Sequence, residues 1–203
     1  MSNLINDIDN LKKKYREIFS QTIEYFNQRI ENIKPQEFLK FLNEDILNEV
    51  FKQKLEILES RKKFSCGGCA ACCKLACSEF SYDDLKQKSQ NNDNFATQFI
   101  SVFIPYENEL EAEKIYPEYF ELLKNRAENE KVYFYYCPKV TKDNRCSDYE
   151  NRPPICRDFP DNPLGFLPKT CGYLKWKEEV EEKTLKLRSL IEIIEFYKSK
   201  ITE

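Results

Sequence analysis

Residues 65–77 read Ser-Cys-Gly-Gly-Cys-Ala-Ala-Cys-Cys-Lys-Leu-Ala-Cys, and this short stretch decides what kind of fold the chain forms. Small residues and thiols replace the long charged side chains that precede them. Four of the thiols follow the spacing Cys66-x2-Cys69-x2-Cys72-Cys73. The turn between the cysteines of a C-x-x-C pair directs both thiolates at one ion, and Gly67 and Gly68 permit the backbone angles that this needs. The overlapping pairs therefore predict a metal-binding loop.

A second set of four cysteines is spread over the C-terminal part of the chain: Cys137, Cys146, Cys156 and Cys171. We expect all eight thiols to be metal ligands. The chain has no His, so soft thiolates dominate the donors, and they select Zn²⁺, iron–sulfur clusters or Cu(I) over Mg²⁺ or Ca²⁺. The ninth cysteine, Cys77, lies outside the spacing, and we expect it to be an inert small side chain in the interior.

The spacing leaves the metal and the ligand sets open. Bacterial ferredoxins bind three irons of a four-iron cluster with C-x2-C-x2-C and take a fourth Cys, followed by Pro, from elsewhere; Cys137-Pro138 matches that position. Zinc is equally well served by four thiolates in a tetrahedron. Because Cys72 and Cys73 are adjacent, we expect them to serve different ions, or one of them to bridge or to stand outside the coordination. Two four-thiolate sites and one cluster with reserve thiols both satisfy the count.

The composition excludes several classes of function. Lys and Arg number 32 against 35 Asp and Glu, a net charge of -3, so there is no bulk positive field for nucleic acid. Four Gly leave no room for Rossmann or P-loop nucleotide motifs, and the absence of His removes the usual hydrolase triads. The N-terminus has no signal-peptide pattern and no apolar run is long enough to span a bilayer. We therefore expect a cytoplasmic protein without nucleic-acid or membrane partners.

Both flanks of the cysteine-rich region have helical periodicity. Apolar residues at helical spacing predict a first helix up to about Ile33 and a second from Pro35 to about Leu58, packed as an antiparallel pair. Residues 173–201 predict a long C-terminal helix. The predicted domains are an N-terminal helical pair (1–63), a cysteine-cluster metal-binding core (64–175) and a C-terminal helix packing on the rest (176–203).

The region between the two cysteine sets mixes helical and extended signals. Ser81 predicts a helix start with an acidic first turn, and residues 107–129 predict helix interrupted at Pro117. Residues 95–106 are aromatic and β-branched, so we expect a strand there. Residues 132–136 predict another strand, which returns as a short hairpin ending at Cys146. The predicted fold class is mainly α, with a small irregular Cys-rich metal-binding core and a short β-hairpin.

The order of these motifs resembles the bacterial CxxCxxCC family, also called YkgJ-type cysteine cluster proteins and described as zinc- or iron-chelating domains. The resemblance covers about residues 64–175. It rests on Cys66-Gly-Gly-Cys69-Ala-Ala-Cys72-Cys73-Lys74, Cys137-Pro138, Cys146-Ser-Asp-Tyr-Glu-Asn-Arg152-Pro-Pro-Ile-Cys156-Arg157-Asp-Phe-Pro160 and Cys171-Gly172. Asp148 stands where the family usually has an aliphatic residue, and the segment joining the two motifs is comparatively long.

The family is in turn similar to the cysteine-rich part of flagellin lysine N-methylases. That similarity implies a four-iron (4Fe-4S) cluster and transfer of a methyl group from S-adenosylmethionine to a protein substrate. The sequence has neither a Gly-rich methyltransferase loop nor the radical C-x3-C-x2-C spacing, so the cluster itself would have to bind the donor. The first hypothesis is thus an iron–sulfur protein with group-transfer activity. The alternatives are a zinc-binding interaction module or metal carrier without catalysis, and a thiol redox sensor.

Two arginines and four tyrosines accompany the motif cysteines. We expect Arg157 to balance the negative charge of the thiolates, and Arg152 to tie down backbone carbonyls, with charge balance as the alternative role for Arg152. The aromatic residues form a candidate cation-binding face, although strand and core packing is the favoured interpretation. They are Tyr133, Tyr135, Tyr136 and Tyr149. The sequence identifies no catalytic residue and no oligomeric state.

Overall fold

The computed structural model describes residues 2–30, 33–126 and 131–202. The chain divides into a cysteine-rich unit, Cys66–Leu174, and a helical unit, Ser2–Ser65 with Lys175–Glu203. In the described ranges, no helix combines the length and the apolar character that a bilayer crossing requires. The three-part division of the chain stays a prediction.

In chain order the elements are α1 (Ser2–Ile30), α2 (Pro35–Lys40), a π-helical segment (Phe41–Ile46), α3 (Leu47–Ser60), a 3-10 turn (Arg61–Lys63), α4 (Ala71–Lys74), β1 (Ala76–Ser78), α5 (Tyr82–Gln90), α6 (Asn94–Val102), β2 (Ile104–Pro105), α7 (Glu109–Ile115), α8 (Pro117–Arg126), β3 (Tyr133–Tyr136), α9 (Pro154–Arg157) and α10 (Leu174–Thr202). The predicted fold class, mainly α with a small β component, is confirmed. The predicted end of the first helix and the last residues of the predicted 107–129 helix fall at 31–32 and 127–129, outside the described residues.

The helical unit is held by an aromatic and aliphatic core that α1, α2, the π-helical segment and α10 share. Its buried members are Phe26, Phe38, Leu42, Ile193, Ile194 and Tyr197. Tyr197 packs against Phe26, near the end of α1, and against Phe38, near the start of α2, as expected for two antiparallel helices. Trp176 is fully buried and its Nε1–H donates to the Ile57 carbonyl at 3.2 Å, which ties α10 to α3.

A small antiparallel sheet organises the cysteine-rich unit, with strand order β1-β3-β2. In the register of β1 on β3, Cys77 lies opposite Phe134. The predicted strand at 132–136 is β3, but its partners are β1 and β2 rather than the returning chain. The return contributes one isolated bridge, between Val140 and Cys146. The sheet therefore joins β1, at the start of the long connection between the cysteine sets, to β3, at its end.

The predicted strand over residues 95–106 is wrong, since most of that segment is α6. The Asp93 side chain caps the helix by accepting from the Ala96 N–H at 2.9 Å. Ala96 and Phe99, three residues apart, are then buried on one face against Tyr135. Burial at helical spacing outweighs the β-propensity of the sequence, and only Ile104–Pro105 is extended. By contrast, the predicted helix start at Ser81 is present as a reciprocal capping box with Asp84.

Candidate metal centre

Two left-handed backbone positions shape the loop that carries the first cysteines. Gly68 has φ of +72° and Ala70 has φ of 56°. The left-handed region is sterically unfavourable for a side-chain-bearing residue, which is why Gly suits position 68. The single helical turn α4 starts directly after Ala70, and it carries Cys72 and Cys73. The loop and α4 therefore present four thiols within a compact turn.

Cys171 meets this loop from the C-terminal end of the unit. A β-carbon placed on Gly67 would lie 3.6 Å from the backbone nitrogen of Gly172. The backbone at position 67 therefore passes close to the backbone at position 172. The pKa of Cys69 is lowered to about 6, mainly by a hydrogen bond from the Cys171 thiol, with a smaller contribution from the Thr170 side chain. The same bond raises the pKa of Cys171. This hydrogen bond thus favours the thiolate form of Cys69 and the thiol form of Cys171.

Cys72 and Cys73 form a second close pair, with 3.9 Å between their sulfur atoms. The hydrogen bond between them lowers the pKa of Cys73 and raises that of Cys72, which burial raises further. Their other neighbours differ. The charges of Cys66 and Cys69 act on the pKa of Cys72, whereas that of Cys73 responds to Cys69 and to the Arg152 guanidinium.

Cys137, Cys146 and Cys156 line one narrow cavity of about 20 Å³. A cavity of that size has room for a single water or ion. The pKa of Cys156 is raised to about 11, first by burial and then by the neighbouring thiols of Cys73, Cys137 and Cys146. Burial likewise raises the pKa of Cys137. The segment 137–156 thus places three thiols on the wall of one small cavity.

Arg152 lies at the same cavity and is fixed by Tyr149. Its guanidinium carbon is 3.5 Å from the centre of the Tyr149 ring, and its Nε–H donates to the Tyr149 carbonyl at 2.9 Å. The positive charge also lowers the pKa of Cys156 against the effect of burial. The hydrogen bond to the Tyr149 carbonyl is the kind of backbone contact expected of Arg152, and its charge-balancing role at a metal site stays a prediction. The role of Arg157 stays a prediction.

The tyrosines divide between packing and surface. Tyr135 is fully buried and its hydroxyl donates to the Phe80 carbonyl at 2.7 Å, which makes it part of the core under the sheet. The rings of Tyr106 and Tyr136 pack against each other at a tilt of 44°, with their centres 4.9 Å apart. Tyr133 carries the Lys131 ammonium 4.7 Å above its ring. Packing within the unit therefore accounts for the strand tyrosines.

Tyr119 on α8 lies near the thiols, although no motif in the sequence singles it out. Its hydroxyl donates to the Phe166 carbonyl at 3.1 Å. Burial raises its pKa, and the charges of several cysteines raise it further. Those cysteines are Cys77, Cys72, Cys171 and Cys69. No spacing rule connects α8 with the cysteine loops, so only the tertiary arrangement reveals this contact.

All nine cysteines lie in the described ranges and none of them forms a disulfide. In the part of the chain that the structure describes, no three or more Cys, Asp or Glu side chains are arranged to hold a metal ion. The thiols instead form two close pairs, Cys69 with Cys171 and Cys72 with Cys73, and three more line one cavity. Their chemistry fits zinc or iron, because thiolate is the donor that both metals take in cysteine sites.

Comparison with known proteins identifies one family. The family model described as "CxxCxxCC: Putative zinc- or iron-chelating domain" matches residues 65–183. No curated protein and no solved structure matches the chain. The match spans more than half of the 203 residues and includes both cysteine sets. The chain therefore belongs to the CxxCxxCC family of zinc- or iron-chelating cysteine domains.

Proposed function

We propose that this protein is a zinc-binding structural and interaction module, in which thiolates hold single zinc ions and cross-link the irregular part of the cysteine-rich unit. The observation that carries the proposal is the cavity of about 20 Å³ between Cys137, Cys146 and Cys156. It has room for one ion, whereas a four-iron cluster also needs space for its inorganic sulfides. Zinc bound by thiolates alone supplies fold stability and no chemistry.

The need for such cross-links follows from the local structure. Between the end of β3 at Tyr136 and the start of α10 at Leu174, the only helix is the four-residue α9. Few repeating backbone hydrogen bonds therefore hold this segment, which carries four of the proposed ligands. Metal sites that join it to the 66–73 loop would replace them, as in small metal-dependent domains where binding and folding are one equilibrium.

Arg152 supports the proposal through charge. Four thiolates around one Zn²⁺ leave a net charge of −2, and a guanidinium fixed at the cavity wall offsets part of it. Lys139 lines the same cavity, but its ammonium is 2.6 Å from the Asp148 carboxylate, so its charge is already paired. Arg152 is thus a cation at this cavity whose charge acts on the thiols.

An iron–sulfur protein with group-transfer activity is the second candidate, and Cys137-Pro138 after C-x2-C-x2-C favours it. In that case the cluster would supply an iron able to bind S-adenosylmethionine. This chain's own contribution would be the thiolates and the Arg152 charge. A protein substrate or partner is proposed for either candidate. We also propose the cytoplasm, because a reducing compartment keeps thiols available as metal ligands.

Metal analysis of protein prepared without oxygen separates the candidates. We expect a colourless protein with stoichiometric zinc and no acid-labile sulfide, and removal of the zinc should unfold the cysteine-rich unit. A brown protein with iron and sulfide would reject the zinc proposal in favour of the second candidate. Protein that binds neither metal would reject both. The Cys77→Ser variant is the matched control, since the proposal assigns no metal to that thiol.

A further inference from the structure

We infer that the eight thiols form two adjoining ligand sets that do not follow the order of the sequence. The first set is Cys66, Cys69, Cys72 and Cys171; the second is Cys73, Cys137, Cys146 and Cys156. The inference rests on the proposed function, because it assigns ligands to the metal ions proposed there. Relative to the two groups taken in chain order, Cys66 to Cys73 and Cys137 to Cys171, it exchanges Cys73 and Cys171.

Cys171 joins the first set through a direct approach of backbone. The positions 67 and 172 are in van der Waals reach, with 3.6 Å between a β-carbon built on Gly67 and the Gly172 nitrogen. This brings Cys171 beside Cys66, which precedes Gly67. The Cys171 thiol is then hydrogen bonded to Cys69. Among the described residues, those that line the cavity of Cys137, Cys146 and Cys156 do not include Cys171.

Cys73 joins the second set through the core under the sheet. Its carbonyl accepts the backbone N–H of Cys137 at 2.7 Å, which fixes the two residues side by side. The Cys73 side chain packs on the same buried cluster as Cys137 and Ile155, the residue before Cys156. Cys73 therefore faces the cysteines of the 137–156 segment.

The geometry of α4 explains why neighbours in sequence separate in space. Successive residues of a helix are rotated by about 100° about its axis, so Cys72 and Cys73 face different sides. Cys72 is turned towards the loop, and Cys73 towards the sheet core. Their sulfurs, 3.9 Å apart, are where the two sets meet. The two ions would consequently be close neighbours.

Alkylation mapping tests the assignment because a metal-bound thiolate is protected from iodoacetamide. The zinc-loaded full-length protein is treated with iodoacetamide, and tandem mass spectrometry reads each cysteine. In Cys171→Ser we expect loss of protection at Cys66, Cys69 and Cys72, with the second set still protected. In Cys146→Ser we expect the reverse pattern. Cys77→Ser is the control and should leave both sets protected.

The alternatives give different maps. If the sets followed the sequence, Cys171→Ser would expose Cys137, Cys146 and Cys156, and the inference would be overturned. Exposure of all remaining ligands in both variants, with folding retained by circular dichroism, would indicate one common site and would also overturn it. Wild-type protein with all eight thiols reactive would instead reject the proposed function itself.

A wild-type measurement covers the case in which a variant fails to fold. Zinc is withdrawn stepwise with a chelator, and each step receives a short pulse of iodoacetamide. Thiols that share an ion lose protection together, so the two sets should appear as two groups with different chelator midpoints. Cys72 and Cys73 falling in the same group would refute the assignment.

Discussion

Replacing Gly68 by Ala should destabilise the metal loop, and the neighbouring Gly67 supplies a matched control. Gly68 has φ of +72° and no atom within 4 Å of the position that a β-carbon would take. The loss of stability in Gly68→Ala is therefore purely conformational, because a residue with a side chain in the left-handed region costs about 1–2 kcal/mol. At Gly67 the added β-carbon meets its nearest neighbour at 3.6 Å, an ordinary contact, and φ is not left-handed.

The comparison of the two variants isolates the conformational cost. Each Gly→Ala change also removes freedom from the unfolded chain, a stabilisation of about 0.4–1 kcal/mol that is common to both. The difference between Gly68→Ala and Gly67→Ala should thus be about 1–2 kcal/mol in the free energy of unfolding of zinc-loaded protein. At roughly 2–4 °C per kcal/mol for a chain of this size, Gly68→Ala should melt several degrees lower.

Thermal unfolding followed by circular dichroism measures this difference at fixed zinc and protein concentration. Gly68→Asn should lie between Gly68→Ala and wild type, because Asn tolerates the left-handed region better than Ala does. Equal melting temperatures for Gly67→Ala and Gly68→Ala would refute the reasoning. A larger loss at Gly67 would mean that its approach to Gly172 is tighter than the 3.6 Å contact indicates.

Three further changes probe the charges, the pKa values and the core. Arg152→Gln should weaken zinc binding by about 10-fold, since residues beside metal ligands typically contribute 10–100-fold. The loss of affinity should grow as the pH falls, because protons then compete better for the thiolates. In metal-free protein, Cys69 should react with iodoacetamide with a midpoint near pH 6, and Cys171→Ala should move that midpoint up towards the ordinary value of about 8.5. Trp176→Phe should lower the free energy of unfolding by about 1–2 kcal/mol, because it removes the indole hydrogen bond to Ile57 inside the core.

Each of these has its own control and its own refutation. Exposed Arg145→Gln should leave zinc affinity unchanged, and an equal loss there would mean that net charge alone matters. A Cys69 midpoint that stays near pH 6 in Cys171→Ala would show that Cys171 is not the cause. Phe196, 51% exposed, gives the control for the core, as Phe196→Ala should stay within about 0.5 kcal/mol of wild type. Denaturant unfolding measures both Trp176→Phe and Phe196→Ala.

The helices show how far local rules extend. The start of α5 follows from Ser81 and Asp84, and α10 begins and ends within a residue of the predicted segment, since capping and periodicity are properties of neighbouring residues. The predicted strand over residues 95–106 is wrong for the same reason, because local rules consider only neighbouring residues. Aromatic and β-branched residues there suit a strand, and the helix is stabilised by burial of Ala96 and Phe99 against Tyr135, a partner far along the chain. The sequence of residues 95–106 does not show that Tyr135 packs against them.

The sequence by itself determined the donor chemistry: with no His and eight spaced Cys, a metal site here has thiolate as its characteristic ligand, whatever the fold. It could not determine which thiols are neighbours, because chain spacing limits only the distances within a loop. The tertiary structure sets Cys171 beside Cys69 through the contact of Gly67 with Gly172. It also turns Cys73 towards Cys137, because one turn of helix rotates adjacent side chains to different surroundings.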